Sequence, residues 1–394
     1  MITREELKKL AELEVEPPSA ISFYYHPQKP QNKAHRGETI VVKDVVREVL
    51  RTAEREGGKN AVRADGVRAD LERILATAEQ WHGNQARAKA VFACSAKDIW
   101  QEFELPARLP RTQVIVNSRF HLAPLAVFLD ANERRCCIVL VDREHARIFN
   151  LLQGEINERA AFVDALPRRV RSDGYSGYDA GHRERHVDNE AMHHYKHVAE
   201  QLQTQALAGA FDLLLIGCHN ENRPEIEPHL SAPLKQRLLG WFVVDPAAAS
   251  AEQVREEAER RLEELRLSEQ EALVREVIGE ASRNGRGSLG LKHVLESLER
   301  GEVQKLLLGE SFAATVAECT NCEHLDTRMV RACAICGHPT REVTDVTDAL
   351  VVRGIREGVQ LVYVAGDEDF ERAGNIAALL RFRADQNTAQ KIAG

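Results

Sequence analysis

Two cysteine pairs near the C-terminus carry the clearest chemistry in the chain: Cys319-Thr-Asn-Cys322 and Cys333-Ala-Ile-Cys336. A Cys-x-x-Cys pair forms a tight knuckle that aims two thiolates at one ion, and two such pairs at this interval make a tetrahedral zinc signature. The stretch between them holds Arg328 and Arg331 and lacks the apolar periodicity of a core helix. It therefore reads as a hairpin, at about 317–340, closed by metal. With all four positions filled by sulfur no place remains for an activated water, so the expected role is structural. Such a site supplies folding energy locally, and its loss is expected to loosen the C-terminal domain alone. His324 and His338 stand nearby as alternative ligands. Four reduced thiols without an ion, or two disulfides, are the competing readings, and the second conflicts with the cytosolic character of the rest of the chain.

A second group of residues has the chemistry of nucleic-acid contact. Arg168, Arg169 and Arg171 lead into Gly174, Tyr175, Gly177, Tyr178 and Gly181, followed by Arg183 and Arg185. Glycines permit a backbone-rich tip, arginines contact phosphates, and a tyrosine stacked on a base contributes about 1–3 kcal/mol. The bland alternative is a solvated, charged surface loop. Lys29, Lys33, His35 and Arg36, with Lys59, Arg63 and Arg68, form a weaker basic set open to the same two readings. His182, His186, His193, His194 and His197 are crowded together. His193 and His197 share a helix face, but the Glu of an H-E-x-x-H site is missing, so they read as polar surface. No Ser-His-Asp or Cys-His set assembles from the residues, and none is expected to be catalytic.

These groups must be positioned by ordinary folded domains. A chain of 394 residues with 43% apolar residues is long enough for two or three cores. No apolar run reaches the length of a membrane helix. Met1 to Leu13 reads as an amphipathic helix with Leu7, Leu10 and Leu13 on one side and without the apolar core of a signal peptide. Cys94, Cys136, Cys137 and Cys218 lie in apolar stretches, as core thiols do. A cytoplasmic protein without membrane or DNA partners is expected. The net charge of −8 (53 basic against 61 acidic residues) leaves RNA binding to local basic patches.

Periodicity and punctuation predict three domains in series, of α/β and α+β class, at 1–132, 133–246 and 247–394. In the first, strands at 21–25, 90–94 and 113–116 accompany helices at 41–54 and 66–80. In the second, Cys136-Cys-Ile-Val-Leu-Val141 is a continuous apolar run, as in a strand covered on both faces. A turn at 142–145 returns it as a strand over 146–151. A loop over 166–181 precedes a helix carrying Ala191, Tyr195, Val198 and Leu202 on one face. A strand at 211–218, a helix at 230–239 and a strand at 241–244 follow. In the third, Ser250 caps one helix, and Ser268 with Glu271 forms a capping box for a second. Beyond Asn284-Gly285 come a helix at 289–299, strands at 303–308, 360–365 and 376–382, and a helix at 345–357 ended by Gly358.

Three blocks resemble the class-one translation-termination factors of archaea and eukaryotes and their ribosome-rescue paralogue Pelota. Cys136 to Asp142 with Ala146-Arg-Ile-Phe-Asn-Leu-Leu-Gln-Gly154 is similar to the opening hairpin of the family's middle domain. His182-Arg-Glu-Arg-His186 running into Met192 to Glu200 is similar to the helix after its catalytic loop. Gly290 to Leu308, with Gly374-Asn-Ile-Ala-Ala-Leu-Leu-Arg-Phe382, is similar to its last domain, which carries zinc in archaeal members. The resemblance covers about two thirds of the chain, from 135 onward, and is weaker before that. The departures concern chemistry. Where the family has the Gly-Gly-Gln that sets water against peptidyl-tRNA, this chain has Ser172-Asp-Gly-Tyr-Ser-Gly-Tyr-Asp-Ala-Gly181. Where the family reads stop codons with Asn-Ile-Lys-Ser, it has Gly58-Lys-Asn-Ala-Val-Arg63.

A family-like shape without either motif is similar in character to the bacterial hibernation factor Balon and its relatives. The resemblance implies a non-hydrolytic factor for the ribosomal A site, in contact with rRNA and working with the tRNA-delivering elongation factor in dormancy or stress. A peptidyl-tRNA hydrolase or rescue factor using another loop residue, and a stand-alone RNA-binding scaffold, are the rival readings.

Overall fold

The computed structural model describes residues 4–15, 19–26, 42–51, 61–78, 81, 88–105, 112–125, 134–152, 154–163, 178–309 and 312–384. They fall into two compact units, Ala131–Ser268 and the combination of Met1–Asp130 with Glu269–Gly394. The segments expected as first and last domains thus lie in one unit. The expected middle segment, 133–246, lies in the other, which extends further along the chain than its turn signals indicate.

Unit Ala131–Ser268 is a five-stranded sheet in the order β7-β6-β5-β8-β9, comprising β5 (Cys136–Val141), β6 (His145–Leu152), β7 (Glu155–Val163), β8 (Leu213–Cys218) and β9 (Leu238–Val243). The β5–β6 and β6–β7 pairs are antiparallel hairpins, whereas β8 and β9 join in parallel. All six residues of β5 are buried, as the unbroken apolar run predicts. Alternate side chains feed two separate cores. Cys137, Val139 and Val141 face the helix Tyr178–Leu207 through Ala191, Tyr195, Val198 and Leu202. Cys136, Ile138 and Leu140 meet Val254 and Ala258 of the helix Ala251–Ser282. Gly217 fills the narrowest gap between layers: a Cβ there would stand 2.5 Å from Phe242 Cζ and 2.7 Å from Leu140 Cδ2.

Two expectations differ from the fold here. The stretch 230–239 is helical only over Ala232–Arg237, and Leu238 and Leu239 already belong to β9. Its parallel pairing with β8 overrides the helix propensity of two leucines. The expected loop over 166–181 gives way to helix at Tyr178, so Gly181 is inside a helix.

In the other unit, β1 (Ala20–Tyr25), β2 (Ala88–Cys94), β3 (Ile99–Leu105) and β4 (Gln113–Asn117) form an antiparallel sheet in the order β3-β2-β1-β4. Helices at 42–51 and Ala61–Ala78 cover the face made by Ile21, Phe23, Tyr25, Val91 and Ala93. The opposite face, with Tyr24, Phe92 and Phe103, shares one core with Leu7 and Leu10 and with Leu350 and Val351. Ser22 is fully buried, and its hydroxyl accepts the backbone N–H of His121 at 2.9 Å, so that buried polar group is satisfied.

The second sheet of this unit runs β10-β16-β11-β15, from β10 (Gly287–Leu289), β11 (Val303–Gly309), β15 (Gln360–Val364) and β16 (Ile376–Leu380). Only β11 and β15 are parallel within it. The helices Leu291–Glu299 and Thr347–Glu357 end as their glycines require, with Gly301 and Gly358 both at φ +67°. A small third sheet, β13-β12-β14, is made of β12 (Val316–Cys319), β13 (Leu325–Asp326) and β14 (Thr340–Val343).

Residues 251–282 form one unbroken helix instead of the two expected. Ser250 does cap it: its Oγ accepts the N–H of Gln253 at 3.2 Å, and Gln253 Oε1 accepts the N–H of Ser250 at 3.0 Å. Ser268 caps nothing, and its hydroxyl donates to the Leu265 carbonyl at 2.9 Å within the helix. Among the described residues no helix is long and apolar enough to cross a membrane.

Candidate functional site

The four cysteines converge. Their sulfurs all lie within 4.8 Å of one another, and they are the sole metal-capable group of three or more such side chains among the described residues. The pairs Cys319–Cys336, Cys322–Cys336 and Cys322–Cys333 are 3.4, 3.4 and 3.6 Å apart. A zinc–sulfur length of about 2.3 Å in a tetrahedron requires sulfur–sulfur edges of about 3.8 Å. The donor set therefore fits a tetrahedral ion after small adjustments of the thiolates, the short edges widening and the longest closing.

The two halves of the site are built by one repeated local structure. Cys319-Thr-Asn-Cys322-Glu-His324 and Cys333-Ala-Ile-Cys336-Gly-His338 follow the same course. In each, the N–H of the first cysteine donates to the histidine carbonyl, at 2.9 Å for Cys319 and 2.8 Å for Cys333. In each, the residue after the second cysteine returns an N–H to the first cysteine's carbonyl, from Glu323 at 3.2 Å and Gly337 at 3.0 Å. That residue is left-handed in both, with φ +55° at Glu323 and +75° at Gly337. The N–H two residues after the first cysteine points at its sulfur, from Asn321 and from Ile335, both at 3.4 Å. Backbone donors to sulfur favour the thiolate, the form that binds metal. The His338 N–H accordingly brings Cys336 down to about 7. The Cys322 and Asn321 N–H groups likewise lower Cys319.

Cys319 and Cys333 are buried, while Cys322 is exposed and Cys336 partly so. The strands β12 and β14, paired with Cys319 opposite Thr340, carry the first knuckle. Neither histidine ring joins the sulfurs. His324 Nδ1 meets Glu299, and His338 Nδ1 lies 3.2 Å from the Cys336 carbonyl. Each histidine closes its knuckle through its backbone carbonyl, and the His338 N–H also acts on the Cys336 sulfur. The repeated Cys-x-x-Cys-x-His pattern is the sequence signal that marks it.

Of the residues expected at a nucleic-acid contact, Arg168, Arg169, Arg171, Gly174, Tyr175 and Gly177 lie outside the described residues. Tyr178, Gly181, Arg183 and Arg185 belong to the first turns of the helix Tyr178–Leu207. Of the crowded histidines, His194 is buried while His193 and His197 are exposed on the same helix, and the side chains of His182 and His186 lie outside those described. The basic set Lys29, Lys33, His35, Arg36 and Lys59 also lies outside the described residues. Arg68 pairs with Glu72 at 3.2 Å on the exposed surface.

Residues 121–263, just over a third of the chain, match the model of the family described as bacterial archaeo-eukaryotic release factor family 10. Over this segment the chain is release-factor-like. The matched segment contains all of β5 to β9, the helix Tyr178–Leu207 and the start of the helix Ala251–Ser282. Among solved structures, an archaeal translation termination factor is 17% identical, with 97% of this chain and 99% of that one aligned and a TM-score of 0.26. Pelota from Archaeoglobus fulgidus is 12% identical over 97% of this chain and 93% of its own, at a TM-score of 0.37. The C-terminal domain of a peptide chain release factor from Methanosarcina mazei is 25% identical over 34% of this chain and 94% of its own, at 0.27. No curated protein matches the chain.

Proposed function

We propose that this chain is a ribosome-associated translation factor that occupies the A site without hydrolysing peptidyl-tRNA, and that it acts when ribosomes are idle, in dormancy or stress. The observation that carries the reading is a release-factor-family match over 121–263 in a chain that contains no Gly-Gly-Gln. A protein that plugs the A site needs the family's shape and its phosphate contacts but not its chemistry. Arg168, Arg169, Arg171, Arg183 and Arg185 make the phosphate contacts, and Tyr175 and Tyr178 stack on rRNA bases. The glycines Gly174, Gly177 and Gly181 let the tip approach the peptidyl-transferase centre closely. Cys319, Cys322, Cys333 and Cys336 hold a structural Zn²⁺, for which the sulfur spacing and the backbone donors to sulfur are the support. The tRNA-delivering elongation factor is the partner proposed to accompany the chain.

Co-sedimentation with purified 70S ribosomes tests the proposal. The chain is expected in the ribosome pellet at low salt and progressively in the supernatant as salt rises, because released counterions drive such binding. Replacing Arg168, Arg169 and Arg171 with Ala is expected to reduce both the affinity and its salt slope. A wild-type chain that stays in the supernatant at low salt, with or without elongation factor and GDP, overturns the ribosome reading.

A further inference from the structure

The metal knuckles rest on a plate of six charged side chains drawn from both ends of the sequence. Arg119 is buried and bonds Glu318 through Nη1 at 2.6 Å and Glu14 through Nη2 at 3.0 Å; its Nη2 lies 3.4 Å from Glu323. Arg341 meets Glu14 at 2.8 Å and Glu318 at 2.8 Å. Arg356 holds Glu323 at 2.7 Å and donates to the Ala11 carbonyl, at the end of the helix Arg4–Ala11, at 3.0 Å. Three guanidiniums face three carboxylates, so the plate is neutral only when complete. Burial raises the pKa of Glu14, but Arg119 and Arg341 outweigh it and hold the carboxyl below its usual range.

The placement of these residues in the knuckles is what matters. Glu318 immediately precedes the ligand Cys319. Glu323 is the left-handed residue between Cys322 and His324, and Arg341 follows Thr340, which pairs with Cys319. Three of the six charges are therefore oriented by the fold of the metal hairpin. The other side of the plate is Glu14 and Arg119, which flank β1 and β4 of the N-terminal sheet.

We infer that the metal-ordered hairpin is a latch that holds residues 4–15 and 112–125 against the C-terminal part of the chain. This rests on the reading of the four cysteines as a metal centre. Without the ion, the knuckles lose the constraint that fixes Glu318, Glu323 and Arg341. Arg119, with a side chain only 9% exposed, would then keep Glu14 but lose its hairpin partners Glu318 and Glu323. A buried charge stripped of its partner is strongly destabilising, and the segment relieves it by leaving for water. The latch extends the local loosening expected from the cysteine spacing alone, because Arg119 and Glu14 bond the hairpin.

Hydrogen exchange on the full-length chain, read by mass spectrometry with zinc bound and after chelation, tests the latch. Metal content is measured on the same samples. Chelation is expected to speed exchange at least tenfold in 4–15 and 112–125 together with 316–343, while β5 and β8 keep their protection. Glu14→Gln gives a second arm that leaves every cysteine in place. It is expected to retain one zinc per chain and a protected hairpin, yet to speed exchange in 4–15. Exchange that rises in 316–343 on chelation while 4–15 and 112–125 stay protected overturns the latch and leaves the metal centre standing. A chain that takes up no zinc overturns both.

Discussion

Four sulfurs and the amides that point at them form the best-defined chemistry in this molecule. Each cysteine of the pairs 319/322 and 333/336 sits in a turn whose hydrogen bonds do not depend on the ion. These bonds set each knuckle's local turn, and the ion is what would fix the two knuckles against each other. Four thiols this close cannot all ionise without a cation, and lowered Cys319 and Cys336 start the process. Protein made in zinc-supplemented medium is expected to carry one Zn²⁺ per chain. Cys319→Ser is expected to lower the content below a tenth of an ion, since a three-sulfur site with a hydroxyl is a poor match. Elemental analysis of the two proteins checks this, and equal zinc in both would show that the metal sits elsewhere.

Element boundaries in this chain are decided by competition between a local signal and a packed face. Ser268 with Glu271 has the letters of a capping box, yet the helix Ala251–Ser282 passes through it. Arg255 with Glu252 and Glu259, Arg260 with Glu257 and Glu264, and Arg266 with Glu263 link successive turns of that helix up to the serine. Beyond it, Leu273, Val274 and Val277 are held in a core with Leu307 and Phe370. A cap signal worth about 1 kcal/mol cannot break a helix anchored by burial. Ser268→Ala is therefore expected to leave stability unchanged within about 0.5 kcal/mol, or to raise it slightly through helix propensity. Urea unfolding measures it, and a loss of about 1 kcal/mol or more would mean that the serine caps a helix after all.

The whole molecule carries a release-factor-like segment, 121–263, that begins inside a unit where N-terminal and C-terminal parts of the chain share one core. Under the proposed function the first consequence is kinetic silence. Ribosomes carrying peptidyl-tRNA and any stop codon in the A site are expected to release no peptide above the factor-free rate, because the loop Ser172–Gly181 supplies no glutamine to position water. Release well above that rate, abolished by replacing Tyr175 or Tyr178, would favour the hydrolase reading.

Much of this was legible in the residues themselves. The strand Cys136–Val141 declares itself because burial on both faces removes polar alternation. The convergence of the four cysteines declares itself because a knuckle requires two cysteines at a fixed short spacing. The helix ends at Gly301 and Gly358 follow from the left-handed conformation that glycine alone adopts freely. What only the tertiary structure decided involves partners distant in sequence. β3 and β7 carry mixed polar faces, and they become strands by pairing with β2 and β6. Glu14 and Arg119 look like ordinary surface charges until the fold sets them beside Glu318 and Arg341, some two hundred to three hundred residues away. A local pattern can specify a turn, a cap or a knuckle. An ion pair across such a separation has no local pattern, because its energy exists only after the intervening chain has closed.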